Sequence, residues 1–463
     1  MTYKKIIYFL EQADHIVWGP VLLFSLLGTG IILMLRLRFL PIRRLKYALL
    51  CALGIDHGQT DLVEKSGTNG VSPLSALMNE LATTIGTGNI VGVATAMVLG
   101  GPGALFWMMI SALIGMATKL TESMLSVKYS SLNQERERVG GPMYTMRAAL
   151  KPRVFGRSMG ITFSVFALGA AFGMGNMTQA NSITAAFKAA LDIPEYQTGF
   201  LVTLSTILVV LGGLKGLSSL TIFLVPFMGI LYLLTCVCVI FINRGHLAEG
   251  IIQILGMAFC PQAFNGGVLG GITVTLANSF RWGIARGVFS NEAGIGAAGI
   301  SAACADTKDP VRQGYISMTG VFFDTAVICF LTGITIASSG LLGEVDESGN
   351  VMTGMALVTA VFKNALGEWG GILLAGSVAL FAFATIAGWA YQGEKVFEFL
   401  TGTKKYNGFF RFFYALSAYV GAVTSLDLVW TFSDICNGLM AFPNLICILL
   451  LSREACSEIR EHG

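Results

Sequence analysis

Charge is scarce in this chain. Of its 463 residues only 12% are Asp, Glu, Lys or Arg, and 54% are hydrophobic; ordinary soluble domains carry about 25% charged residues. That balance excludes a soluble globular protein and points to a membrane protein. The net charge of +3 is small and scattered, which excludes a nucleic-acid-binding face. Histidine occurs only four times, at positions far apart and without metal-ligand spacing. The nine cysteines are an odd number and form no CxxC; most, such as Cys236, Cys238 and Cys329, fall within apolar runs and read as small buried hydrophobes. No H-E-x-x-H, G-x-S-x-G or P-loop is present, so the common hydrolase chemistries and a self-contained ATP-driven pump are excluded as well. Proline is sparse, with 11 residues, whereas glycine is abundant, with 56, as expected where helices approach closely inside lipid.

Long apolar runs are what remain. A spanning helix needs roughly 20 apolar residues, and eleven such spans are expected: 16–38, 72–98, 103–127, 158–187, 197–213, 217–243, 269–303, 314–340, 369–400, 408–424 and 427–451. The N-terminal segment lacks a small-residue cleavage site and is kept as a helix. Taking alternate connections together, one side of the membrane collects 20 Lys and Arg and the other only 5, with the acidic loop of Glu344, Asp346 and Glu347. Positive charge marks the cytoplasmic side, so the N-terminus is expected outside and the C-terminus inside a cell or inner membrane. Segments 245–262 and 352–366 read as connecting helices.

With the first span set aside, ten remain, divisible as five plus five. An odd number reverses the direction of entry, which makes the second set an inverted repeat, the plan by which coupled transporters place a site at the midplane between discontinuous helices. The expected organisation is an N-terminal helix and cytoplasmic linker (1–71), a first five-helix repeat (72–243), an extracellular connection (244–268), a second repeat (269–451) and a cytoplasmic tail (452–463). The leading span of each repeat is interrupted at a similar depth: Gly86-Thr87-Gly88-Asn89 in one, and Phe289 through Gly294 in the other. Glycine costs about 1 kcal/mol in a helix interior, and non-helical backbone survives in lipid only where protein or a wet cavity satisfies it. Gly294 to Gly299 spells G-x-G-x-x-G, but it lies inside a hydrophobic span with no strand before it, which excludes a nucleotide site. Those glycines, like Gly169 and Gly173, suit close helix contacts.

The helix resuming after Gly88 turns its free amides toward the midplane, where a carboxylate docks. The carbonyls around Val288 and Phe289 would face the same cavity and attract an ammonium or a cation. Glu292 is expected to cap the helix after the second break, and also to pair with Arg286 or Arg281. Lys119 and Glu122, one turn apart, read as an intrahelical ion pair. Glu80, Asp324 and Asp434 are acids within spans, and they leave proton coupling open as an alternative driving force. A channel is a further alternative, though it would more usually show an oligomeric ring or a repeated filter loop.

The runs "GGPGALFWMMISALIG" (Gly100 to Gly115), "GGPMYTM" (Gly140 to Met146) and "RGVFSNEAGIG" (Arg286 to Gly296) resemble the alanine or glycine:cation symporter family, also called sodium:alanine symporters, over essentially the whole chain. Members commonly carry Trp where this chain has Met109 and an aromatic where it has Thr145; both departures lie outside the expected pocket. The resemblance implies an all-α integral membrane protein of the leucine-transporter fold with an extra N-terminal helix, importing alanine, glycine or another small neutral amino acid with Na+. It implies that the amides near Thr87 and Gly88 hold the substrate carboxylate and that Gln179 contacts the substrate. Ser290 and Asn291 follow Phe289 in the second break, and Trp389 would wall the side-chain pocket. By the same likeness the carbonyls of Ala82 and Ile85, with the hydroxyl of Thr385, face a sodium site. Asn89 either completes a second cation shell or satisfies broken backbone. The implied partners are the amino acid and the lipid bilayer, with no nucleotide or nucleic acid; a monomer is one expectation, and the sequence leaves open whether the protein works alone.

Overall fold

The computed structural model describes residues 2–55, 70–133, 137–259, 276–346 and 349–462. The expected start of the seventh span (269–275), the end of the 245–262 segment, Lys65 and Glu347 lie outside the described residues. The chain is almost entirely helical. It opens with α1 (Thr2–Val17) and α2 (Pro20–Arg36), followed by short α3 (Leu40–Arg43) and α4 (Leu45–Leu53). Helix α5 (Pro73–Thr84) starts where Ser72 accepts the Ser75 amide at 3.1 Å and Pro73 occupies the first turn, a strong helix start. After a break come α6 (Val91–Leu99), α7 (Gly103–Lys128), a two-stranded hairpin of β1 (Ser131–Leu132) and β2 (Arg138–Val139), then α8 (Pro142–Ala149), α9 (Arg153–Phe172) and α10 (Thr178–Leu191). Helix α11 (Glu195–Ile242) is two spans joined at Gly213, whose φ of 61° needs a glycine.

The second half holds α12 (Leu247–Phe259), α13 (Leu276–Asn291), α14 (Ala297–Ala302), α15 (Pro310–Val321), α16 (Phe330–Ala337), α17 (Gly354–Leu366), α18 (Glu368–Thr401), α19 (Asn407–Val423) and α20 (Leu426–Glu461). Asp309 caps α15 by accepting the Arg312 amide at 2.9 Å, again with Pro in the first turn. Among the described residues eight helices are long and apolar enough to span a membrane. The expected spans not among them are the two interrupted ones and 408–424, whose helix α19 has 17 residues.

Both interruptions are present. Between α5 and α6 the chain is extended at Gly86 and makes one 3-10 turn over Thr87–Asn89. The second break sits later than the sequence suggests. Helix α13 runs on through Phe289, Ser290 and Asn291 because the Glu292 amide still reaches Val288 O at 2.8 Å. The turn is then made by Glu292, Gly294 and Gly296, with φ of 58°, 92° and 102°. Two stretches are π-helical, Gly173–Met177 before α10 and Phe322–Cys329 between α15 and α16, and the second lies against the 3-10 turn and α13.

Small residues let these helices touch. A β-carbon on Gly169 would lie 2.8 Å from Cys436 Sγ, and one on Gly173 2.9 Å from Ser433 Oγ, so both glycines set α9 against α20. At one end of the bundle the basic connections gather. Lys128 pairs with Glu454 at 2.7 Å and Glu458 at 2.5 Å, while Glu137 beside the hairpin meets Lys404 at 2.6 Å and Lys395 at 3.0 Å. Burial alone would raise the Glu137 carboxyl, but the hydrogen bond from Lys404 and the Lys395 charge outweigh it and hold the group at about 2.

Candidate functional site

The two breaks meet. A β-carbon on Gly88 would lie 3.2 Å from the Phe289 ring and 3.4 Å from the Ser290 backbone, so the 3-10 turn lies directly against the end of α13. Gly86 is pressed from the other side: its β-carbon would stand 2.6 Å from Thr385 Oγ1 on α18 and 3.1 Å from Gln179 Oε1 on α10. Four elements therefore converge at this point, and only glycine backbone fits between them.

Backbone freed by the break finds defined partners. The Gly86 amide turns to Asn89 Oδ1 at 2.9 Å, which relieves the carbonyl of Ala82 of the bond a continuous helix would give it. Ile85 ends α5 with ψ of 87°, and its carbonyl accepts Thr385 Oγ1 at 3.4 Å. The Thr87 amide is held by Gln179 Oε1 at 3.1 Å, and Gln179 Nε2 in turn donates to Met174 O at 3.0 Å within the first π-helical stretch. Thr87, Gln179, Thr385, Ala82 and Ile85 are all at most 3% exposed. In this conformation these groups are closed off from solvent.

A carboxylate ties the second wall together. Asp324 accepts Asn89 Nδ2 at 2.6 Å on one oxygen, and Ser290 Oγ at 2.9 Å and Thr325 Oγ1 at 2.7 Å on the other. Asn89 thus serves both breaks at once. Asn291 faces away from Gly88: its side chain donates to Thr325 at 3.0 Å and accepts the Ala293 amide at 3.0 Å. Phe289 stacks on Trp430 with ring centroids 5.3 Å apart, and above it Arg286 makes a two-pronged pair with Asp434 at 3.0 and 2.7 Å. Arg286 is further enclosed by the rings of Trp282, Phe289 and Trp430, each within 5.5 Å of its guanidinium. Trp389 packs over Gly175 in the first π-helical stretch and donates its indole N–H to Glu292 at 3.0 Å.

Three expectations are corrected by this geometry. Glu292 neither caps α14, whose preceding residue is Gly296, nor pairs with Arg286, which belongs to Asp434. Lys119 and Glu122 do not pair with each other; Lys119 reaches Glu80 at 3.2 Å and the Asn291 carbonyl at 2.8 Å, while Glu122 accepts the amides of Gly294 and Gly299. The carbonyl end of α13 is therefore occupied by a lysine, and Val288 O by the Glu292 amide. Thr325, Trp430 and Asn444 were missed from the sequence. Each sits in an ordinary apolar run, and only the neighbouring acids, Asp324, Asp434 and Glu122, could have flagged them.

Comparison with known proteins agrees with this architecture. The chain matches the sodium:alanine symporter family over residues 3–463. It is 42% identical over 451 residues to the sodium/alanine symporter AgcS of Methanococcus maripaludis, covering 97% of this chain and 96% of that protein. It is 33% identical to the probable sodium/glutamine symporter GlnT of Bacillus subtilis (97% and 89% covered) and 30% identical to the putative sodium/proton-dependent alanine carrier YrbD of the same organism (98% and 92%). Among solved structures, MhsT in complex with L-phenylalanine superposes with a TM-score of 0.57 at 16% identity, covering 83% of this chain and 89% of that one, which gives the leucine-transporter fold. The proteins it resembles are membrane transporters and not enzymes, and the chain belongs to the sodium:alanine symporter family.

Proposed function

We propose that this chain is a sodium-coupled symporter that imports alanine, glycine or another small neutral amino acid by alternating access, working as a monomer in the cell membrane with its N-terminus outside and its C-terminus in the cytoplasm. The observation that carries the reading is the contact of Gly88 with Phe289 and Ser290, which brings two interrupted helices to one buried point. A bound carboxylate would take the amides of Thr87 and Gly88, displacing or sharing the bond that Gln179 makes to Thr87. Asn89 and Ser290 would shape the opposite wall, with Asn291 bracing it from behind through Thr325, Phe289 would cover the substrate, and Trp389 would limit the side chain to about the size of a methyl. The sodium ion, a co-substrate, would take the freed carbonyls of Ala82 and Ile85 with Thr385 Oγ1, a hard-oxygen set suited to an alkali cation. The sealed pair of Arg286 and Asp434, stacked above Phe289, would part when the site opens toward the outside.

Purified protein in liposomes should accumulate labelled alanine or glycine when an inward sodium gradient is imposed. Equal accumulation with choline in place of sodium and no pH gradient would end the sodium reading. A dependence on an inward proton gradient instead would favour the alternative that Glu80, Asp324 and Asp434 leave open.

A further inference from the structure

Lys119 lies in the middle of α7 with its side chain fully buried. A lysine is seldom placed so unless its ammonium is both paired and hydrogen-bonded. Its Nζ sits 2.8 Å from the carbonyl oxygen of Asn291, the last residue of α13, and 3.2 Å from Glu80 Oε1 on α5. It therefore links the first half of each interrupted helix to a third helix. A positive charge at the carbonyl end of α13 complements that helix's dipole.

One turn further along α7, Glu122 does the reverse. It accepts the Gly294 amide at 3.2 Å and the Gly299 amide at 3.4 Å, and Asn444 of α20 donates both to Glu122 at 2.9 Å and to Gly294 O at 2.9 Å. Helix α7 thus sets a cation on the carbonyl side of the second break and an anion on its amide side. The charges facing Lys119 are Glu80 on α5, Glu122 on its own helix, Glu292 in the break and Asp324 in the second π-helical stretch.

We propose that Lys119 is a positioning residue that acts as a tethered cation: its ammonium neutralises Glu80 and the end of α13 in place of a mobile ion, and so sets how many sodium ions accompany each substrate. This rests on the reading of the chain as a sodium-coupled symporter. Without the ammonium, Glu80 would be a buried carboxylate with no counter-charge, and a site of that kind recruits a cation from solution.

The experiment measures alanine uptake and sodium dependence in liposomes for the wild type, K119M, E80Q and the E80Q/K119M pair. In K119M the sodium Hill coefficient should rise by about one, because the Glu80 carboxylate must now be neutralised by an additional cation from solution. The E80Q/K119M pair, again neutral, should return it to the wild-type value. E80Q alone leaves an extra positive charge near the break and should raise the sodium half-saturation by at least about tenfold with no change in cooperativity. An unaltered sodium response in K119M overturns the proposal. Should K119M fail to remain monodisperse in detergent, E80Q and the pair decide, and an unshifted half-saturation in E80Q overturns it equally. A wild type indifferent to sodium would instead refute the symport reading, a separate result.

Discussion

Replacing Gly86 by alanine tests the convergence of helices at the first break. The added methyl meets Thr385 Oγ1 at 2.6 Å and Gln179 Oε1 at 3.1 Å. Neither atom can swing aside freely. Thr385 Oγ1 is bonded to Phe381 O at 3.1 Å as well as to Ile85 O, and Gln179 is anchored at both ends, to Thr87 N and Met174 O. Gly86 has φ of −134°, outside the left-handed region that demands glycine, so the steric cost of the methyl is the one to count. Overpacking a tight site costs about 1–3 kcal/mol, and loosening one of those hydrogen bonds adds about 0.5–1.5 kcal/mol. A loss of about 2–4 kcal/mol, falling on binding, weakens alanine affinity by roughly 30- to 1,000-fold. Equilibrium binding of labelled alanine in sodium, with thermal unfolding of the purified protein as a check on folding, measures it. Gly212, which has open space where a β-carbon would go, supplies the control: Gly212→Ala should bind as wild type. Wild-type affinity in folded Gly86→Ala would refute the idea that this glycine is squeezed between the two side chains.

Three further outcomes follow from the same geometry. Gln179→Ala removes the side chain proposed to contact the substrate and should lower alanine affinity by about 5- to 150-fold, for the loss of a buried hydrogen-bond partner at about 1–3 kcal/mol, while circular dichroism remains that of the wild type. Asp434→Asn strips the charge partner from buried Arg286 and should destabilise the purified protein by about 3–5 kcal/mol in denaturant or thermal unfolding, whereas Arg286→Met/Asp434→Leu, with both charges gone, should recover most of it. Glu137 has its folded-state carboxyl lowered from 4.5 to about 2, so its stabilising contribution is complete above pH 4.5 and fades as pH falls through about 2; the difference in melting temperature between wild type and Glu137→Gln should therefore be large at pH 7 and should shrink as pH is lowered from 4.5 to 2.

Much of the fold was legible because lipid restricts what a chain can do. Eight of the apolar runs of spanning length, and the break at the glycines and asparagine of Gly86 to Asn89, carry a local signature, and they lie where expected. The second break was offset because its turn is made by Glu292 in a left-handed conformation, which nothing in its side chain announces, while Ser290 and Asn291, ordinary breakers, remain helical. The pairing of Lys119 was misread for a related reason. Spacing along one helix proposes the neighbour three residues away, and only the packing of α5, α7 and α13 brings Glu80 and Asn291 closer. Asp324 could be singled out as an acid in an apolar run, but its partners Asn89, Ser290 and Thr325 come from three separate segments.

The π-helical stretches at Gly173–Met177 and Phe322–Cys329 each hold a surplus residue within an otherwise regular coil; the second abuts the first break, and the first is tied to it through Gln179. Trimming one residue there would let the turn close normally and rotate everything beyond it by about 100°, swinging Gln179 off Thr87 in one case and, in the other, re-aiming the helix that follows Asp324. The walls of the site therefore depend on a phase error kept on purpose, and in these two places the length of the chain matters as much as the identity of its side chains.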